Sequence, residues 1–521
     1  MPTSPAQPPR PEPQPTESLL PEPQPTASRR PQPRPARRLP PGHLTAACLT
    51  LAALLPTHAH AAPVTITAAW SGTAYRLTLR GLTPTDGTLR AEPDRSGATL
   101  TFRAALPPLN RTVRTATGDL TITIKGHTVT ARTADRRPLR VNLSYIRPGV
   151  IPGQDATTAI DLYPPESWTE YQPEPTTPCT PSRPGAGVPG AGVPSAGVPE
   201  LPYQPPTFAT GPVGFYLAQI DPRTGTPLRV ITHDPDSLYP LASTYKQVIA
   251  WAAYRDINAG TLTLNTRLTV TEANRSIETY QPGTRTVQNL ITQAITRSEN
   301  TASDILHLHL TPQRVQALAD AHGTCHTRVN MTTKAWWAAQ AGLLPGVYGP
   351  DLPTSAQQAF TAPPEQQAAT AAQAVTQAQT LNADTLLNAL DRYFYSPAYH
   401  PQTEVYLQNR STPREWATLI TRQYLDPTLT PTNRSALRRT LAQGCCRVND
   451  PSVTYWGSKA GSGWRNLTMS GLLTLNTGQT FVYAYFNTGS DLMDSALIEQ
   501  QLPSVAQYIL QNARRIGKST P

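Results

Sequence analysis

The sequence predicts an α+β protein. One folded unit draws strands from both of its ends into an antiparallel sheet, holds a helical lobe between them, and is preceded by a small all-β domain. Three observations predict this. Residues 64 to about 147 alternate apolar and polar side chains at the period of half-buried strands. From about 207 the chain opens with strand-like text at 211–220 and 228–231 and closes with more at 455–459 and 481–486. Between those ends lie helix-like segments at 286–297, 300–310, 311–322, 332–341, 355–379, 383–394 and 412–424, and a last one follows at 493–514.

The chain has 521 residues, enough for two or three domains. Residues 1–43 are rich in Pro, Gln, Arg and Glu and nearly repeat Pro11-Glu12-Pro13-Gln14-Pro15-Thr16 at 21–26. Such text has almost nothing to bury and is expected to be a disordered leader. Arg37 and Arg38 then precede an apolar run, 44–55, and the small-x-small site Ala59-His60-Ala61. Residues 44–61 therefore read as the core and cleavage region of a secretory signal, too short for a comfortable membrane span. The expected location is outside the cytoplasm, periplasmic or extracellular, with no transmembrane span after cleavage.

The all-β domain is expected over 62–150, with glycines such as Gly72, Gly81, Gly97, Gly118 and Gly126 at its turns. Its arginines are scattered along strands, so nucleic acid is not an expected partner. Contact with cell-wall glycan, or simple spacing, are the roles open to it. Residues 151–206 carry Pro-rich text and three copies of Ala-Gly-Val-Pro at 186–189, 191–194 and 196–199, and read as a linker. The catalytic unit is expected over 207–521.

In that unit the informative stretch is Ser243-Thr244-Tyr245-Lys246, ahead of an apolar helix-like run. Residues i and i+3 of a helix share a face, so Lys246 would stand beside Ser243. A serine hydroxyl is a weak nucleophile until a neighbouring base takes its proton. Two further polar groups could line the same cleft: Ser298-Glu299-Asn300, directly before a helix, and Lys459-Ala460-Gly461-Ser462-Gly463 on a strand. Gly461 and Gly463 would let a substrate lie close to the strand edge.

In this order the three groups resemble the Ser-x-x-Lys, Ser-Asp-Asn and Lys-Thr-Gly motifs of the serine β-lactamase and penicillin-binding protein superfamily. The resemblance is closest to class A β-lactamases, is shared by Thr412-Pro413-Arg414, and covers about 207–515. It implies a β-lactamase-like antiparallel sheet flanked by terminal helices, with an all-helical lobe. It implies a serine hydrolase that opens a β-lactam amide through an acyl-enzyme, without a cofactor or metal. By the resemblance Ser243 would be acylated, Lys246 would move its proton, and Ser298 would relay a proton to the leaving nitrogen. Asn300, Lys459, Gly461 and Ser462 would bind substrate, and the backbone N–H groups of Ser243 and Ser462 would form the oxyanion hole.

Three departures stand out. Glu299 replaces Asp. Ala460 replaces a hydroxyl residue, for which Ser458 and Ser462 are the candidate substitutes. Glu404 and Leu407 keep the Glu-x-x-Leu spacing of the class A deacylating segment, but Gln408 stands where Asn is usual, and the interval to Thr412 is short. Glu404 is the candidate deacylation base. Without a working base the alternative is a penicillin-binding or peptidoglycan-directed serine peptidase or esterase with slow deacylation. A third alternative is an inactive cell-wall binding or sensor protein.

Of the five cysteines, Cys325, Cys445 and Cys446 fall in this unit. An oxidising compartment favours a disulfide from Cys325 to Cys445 or Cys446, and the adjacent pair is the less favourable partner set. His322 and His326 flank Cys325, yet nothing supplies a fourth ligand, so no zinc site is expected.

Overall fold

The computed structural model describes residues 64–492 and 495–518, apart from stretches at 72–73, 81–86, 92–96, 116–117, 135–138, 147–156, 165–170, 177–196, 278–279 and 395–398. The leader and signal readings, at 1–61, lie outside the described residues. Among the described residues no helix is long and apolar enough to cross a membrane. The architecture is mixed α+β, with antiparallel sheets and many helices.

Residues 65–163 carry two antiparallel sheets. One has the order Thr65–Ser71, Ala74–Arg80, Thr157–Tyr163, Arg140–Ile146, and the other Gly87–Ala91, Gly97–Phe102, Thr128–Thr133, Gly118–Lys125, Leu109–Thr115. Their inward side chains share one core that includes Leu77, Leu100, Ile122, Val129 and Ile160. Alternation puts every second side chain inside, as in Gly118–Lys125, where Leu120, Ile122 and Ile124 are buried.

Strand Thr157–Tyr163 falls inside the stretch read from composition as linker. It is central in its sheet and buried at all seven positions. Its Asp161 accepts a bidentate pair from Arg76, at 2.6 and 2.9 Å. That pairing lets a fully buried carboxylate sit in the sheet.

The second half is built around a five-stranded antiparallel sheet in the order Pro227–His233, Val213–Ile220, Thr480–Thr488, Asn466–Leu475, Val453–Gly463. The N-terminal hairpin thus joins the sheet through Val213–Ile220 against Thr480–Thr488, as the two strand-like ends implied. Helix Leu502–Lys518 covers one face through Val505, Ile509 and Ile516. Helix Lys246–Ala259 and helix Pro413–Leu425 belong to the core on the other face, with Trp251 and Trp416 fully buried.

The helical segments largely fall where expected, with instructive differences. The single segment expected at 355–379 is two helices, Leu352–Thr361 and Pro364–Ala378. Pro363 cannot continue the first, and Pro364 starts the second at a position whose N–H needs no partner. Helices Pro401–Leu407 and Pro431–Ala442 were not anticipated, and both begin on proline.

The cysteine expectation is corrected. Cys445 is disulfide-bonded to Cys446, its neighbour. Cys446 takes the left-handed φ of 77°, which turns the backbone so that adjacent side chains meet. Cys325 is itself disulfide-bonded, so neither Cys445 nor Cys446 is its partner. Among the described residues no cluster of His, Cys, Asp or Glu could hold a metal ion.

Candidate active site

Ser243 lies in a 3-10 turn, Ala242–Tyr245, that runs directly into helix Lys246–Ala259. The turn is held from both sides. Leu241 N–H donates to the Asn409 carbonyl at 2.8 Å, and the Leu241 carbonyl accepts from Thr468 Oγ1 at 2.9 Å. Ala242 is forced to a φ of 43°. A left-handed non-glycine residue costs about 1–2 kcal/mol, so packing must hold this one in place. Such strain beside a serine motivates a functional reading.

Lys246 is fully buried. Its Nζ donates to the Ser298 carbonyl and to Asn300 Oδ1 at 2.6 Å, and lies 3.5 Å from Ser298 Oγ. Ser298 also has a left-handed φ, 57°, which turns its carbonyl and hydroxyl toward the lysine. From the sheet, Lys459 Nζ donates to Ser298 Oγ at 2.9 Å and to the Ala460 carbonyl at 2.5 Å. The two lysine amino groups therefore meet around one hydroxyl. A hydroxyl both donates and accepts, so Ser298 is the group able to pass a proton between them.

Gly461 closes the arrangement. A Cβ built there would lie 2.4 Å from the Ser243 backbone nitrogen, 2.7 Å from Thr468 Oγ1 and 2.9 Å from Ala242 Cβ. Only a residue without a side chain lets the strand approach the serine turn this closely. Four of the expected residues, Lys246, Ser298, Asn300 and Lys459, are thus brought into one hydrogen-bonded cluster, and Gly461 abuts Ser243. The Ser243 side chain is partly exposed, and its hydroxyl makes no hydrogen bond among the described residues.

Three side chains that could have reached the substrate have partners of their own. Ser462 Oγ donates to the Glu499 carboxylate, and Ser458 Oγ donates to the Cys445 carbonyl at 2.8 Å. Neither hydroxyl replaces the one missing at Ala460, whose methyl packs into the apolar cluster behind the sheet. Glu404 is buried on helix Pro401–Leu407, and among the described residues its carboxyl accepts one hydrogen bond, from Gln340 Nε2 at 3.2 Å. Its second oxygen has no partner. Burial pushes the Glu404 carboxyl up to about 8, against smaller opposing effects of Gln340 and Arg465.

Glu299, the replacement for Asp, caps helix Asn300–Leu310. Its carboxylate accepts from the Thr301 N–H at 3.2 Å and from the Ala302 N–H. The extra methylene still reaches the helix start, where an acidic group is favoured. Glu415 acts through the Thr412-Pro413-Arg414 segment. Thr412 caps its helix, and the Glu415 carboxylate accepts N–H bonds from Cys325, His326 and Thr327.

Sequence reasoning missed Asp304 and Thr468. Asp304 is one turn after Asn300 and accepts N–H bonds from Thr333 and Lys334, both at 2.8 Å. Burial pushes its carboxyl up to about 6, opposed by those bonds and by the Lys246 charge. The i, i+4 spacing from Asn300 was the signal available for it. Thr468 belongs to the unanticipated strand Asn466–Leu475, and no motif marked it.

The sequence profile described as the Beta-lactamase enzyme family matches residues 208–513, more than half of the chain. No curated protein matches. Solved structures similar to this chain include a double mutant of the class A β-lactamase of the last common ancestor of Gram-negative bacteria. It is 19% identical, covers 58% of this chain and 94% of its own, and has a TM-score of 0.39. A β-lactamase from Sphaerobacter thermophilus is 19% identical, over 59% and 92%, with a TM-score of 0.39. A mutant of PBP-A in an acyl-enzyme complex with penicillin G is 17% identical, over 58% and 90%, with a TM-score of 0.37. The profile match, spanning all three motif groups and the sheet on which they converge, assigns the chain to the β-lactamase enzyme family.

Proposed function

We propose that this protein is a serine hydrolase that opens a β-lactam or related amide through an acyl-enzyme on Ser243. The observation that carries the reading is the cluster in which Lys246 Nζ and Lys459 Nζ both reach Ser298, with Gly461 against the Ser243 nitrogen. In this reading Lys246 acts as the neutral amine: Ser243 Oγ attacks the amide carbonyl carbon and its proton passes to the Lys246 nitrogen. Ser298 Oγ hands a proton to the departing nitrogen and is resupplied from Lys246. Lys459 draws the carboxylate of the substrate, and the N–H groups of Ser243 and Ser462 receive the oxyanion. The likeness to class A enzymes is part of this reading, supported by Ser298-Glu299-Asn300 and Thr412-Pro413-Arg414.

A specific observation favours a second reading for the later half of the reaction. A carboxyl held near 8 is mostly protonated at neutral pH and cannot take a proton from water. Glu404 bonds to Gln340 rather than to Ser243 or Lys246. The acyl-enzyme would then be long-lived, as in a penicillin-binding or peptidoglycan-directed peptidase or esterase. Export, a signal over 44–61 and wall-glycan contact through the all-β region, read over 62–150 and running on to Tyr163, belong to the same proposal, supported by composition.

Intact-mass spectrometry over time with a penicillin tests it. Wild type should gain one acyl mass, and Ser243→Ala should gain none. Absence of any adduct on wild type would leave the inactive wall-binding or sensor alternative standing.

A further inference from the structure

Arg328 and Arg410 form a two-residue antiparallel bridge. Each backbone N–H donates to the other's carbonyl, at 2.8 and 2.9 Å. Directly opposed residues carry their side chains on one face, where like charges destabilise the pair. Here both guanidinium groups turn to the same neutral atom. Arg328 Nε donates to Gln367 Oε1 at 3.0 Å and Arg410 Nη2 donates to it at 2.8 Å.

Arg410 is 8% exposed. Its other contacts are the Tyr406 carbonyl, at 3.3 Å, and the Phe360 ring, 4.5 Å below the guanidinium. Arg328 Nη1 donates to the carbonyls of Cys325 and Thr327. Among the described residues neither arginine pairs with a carboxylate; Asp320 and Glu415 act on Arg328 from a distance, and no described carboxylate acts on Arg410. Burial and the Arg328 charge lower the Arg410 guanidinium to about 9, so it stays charged at neutral pH. A buried charge without a counter-charge is strongly unfavourable.

Both arginines line a cavity of about 30 Å³, together with Asn330, Gln367, Thr370 and Gln408. That volume admits one water-sized particle. We propose that this cavity binds a single halide-sized anion, chloride in ordinary buffers, held between the Arg328 and Arg410 guanidinium groups. The anion supplies the missing counter-charge. It also steadies the segment behind the nucleophile, because Arg410 pairs with Pro240 and Asn409 holds the Leu241 N–H.

The test compares full-length protein in sodium chloride and in sodium gluconate at equal ionic strength. Melting temperature should rise with the logarithm of chloride concentration and not with gluconate. The chloride NMR line should broaden on adding protein and sharpen again on adding bromide. Gln367→Glu places a carboxylate between the arginines. It should melt higher than wild type in gluconate and lose both the chloride shift and the broadening. Arg410→Gln should lose the broadening as well. Equal melting of wild type in the two salts, or broadening unchanged in Gln367→Glu, would overturn the site and leave water in the cavity.

Discussion

The corner around Ser298 and the corner around Glu404 are both buried, both polar and both close in sequence to recognisable motifs, yet they are finished to different degrees. Around Ser298, two lysines, an asparagine and a serine satisfy one another through bonds that cross from helix to sheet. Around Glu404, a carboxyl meets one amide at 3.2 Å and leaves an oxygen unpartnered. In the proposed function the first corner would form the acyl-enzyme, and the second would be poorly equipped to break it. A motif read from spacing alone does not distinguish these cases. What distinguishes them is whether the surrounding chain supplies partners.

Ways to break or sharpen this contrast differ in size. The largest effect is expected from Ser243→Ala, which should abolish covalent labelling by penicillin while the melting temperature stays close to wild type. Labelling that survives would move the nucleophile elsewhere. Next is Gly461→Ala. Its methyl would enter a space with backbone nitrogen 2.4 Å away. Overpacking of this kind costs about 1–3 kcal/mol, and displacement of the serine turn should slow acylation by about 100-fold, the scale of losing one oxyanion donor. A near-normal acylation rate in stopped-flow would show that the strand gives way freely.

Glu404→Gln should act on stability. The folded carboxyl holds its proton to about 8 and the unfolded one only to about 4.5. Between these values the folded state binds more protons. The contribution of Glu404 is therefore full below about pH 4.5 and is lost as pH rises toward 8. Glutamine has nothing to ionise. The variant should gain on the order of 5 kcal/mol relative to wild type between pH 4 and pH 9. Unchanged acyl lifetime in this variant would separate Glu404 from deacylation, and a lengthened one would restore it as the base. The smallest effect is expected from Ser462→Ala. It removes an exposed bond to Glu499 but keeps the backbone N–H, so stability should move by less than about 0.5 kcal/mol. A large loss of activity would mean that the hydroxyl itself meets the substrate.

What was legible in the sequence follows from range. Ser243 and Lys246 are joined by one helical turn, and Gly461 by the needs of a close approach, so local rules reach them. Strand Asn466–Leu475 alternates, with Leu467, Met469, Leu473 and Leu475 between Asn466, Thr468, Ser470 and Thr474, so its period was readable; that its polar face, Thr468 included, is buried as well was not. Helices Pro401–Leu407 and Pro431–Ala442 both begin on proline, whose fixed φ starts a helix at N1 but gives no apolar period to read. The Cys445–Cys446 bond depends on a left-handed residue at 446, which a cysteine does not advertise. The pairing of Asp161 with Arg76 likewise became visible only once distant strands were adjacent.

The register of the large sheet bears on how the molecule comes into being. Strand Val213–Ile220 has its central neighbour in Thr480–Thr488, and Gly461 reaches Ser243 from the far side of the same sheet. Contacts spanning so much chain form slowly, because the loop between them must first be closed. A nascent or truncated polypeptide ending in the helical lobe would carry the serine and its lysine without the strand that frames them. In the proposed function, acylation at this centre would therefore wait until strands Val453–Gly463 and Thr480–Thr488 have been made and paired.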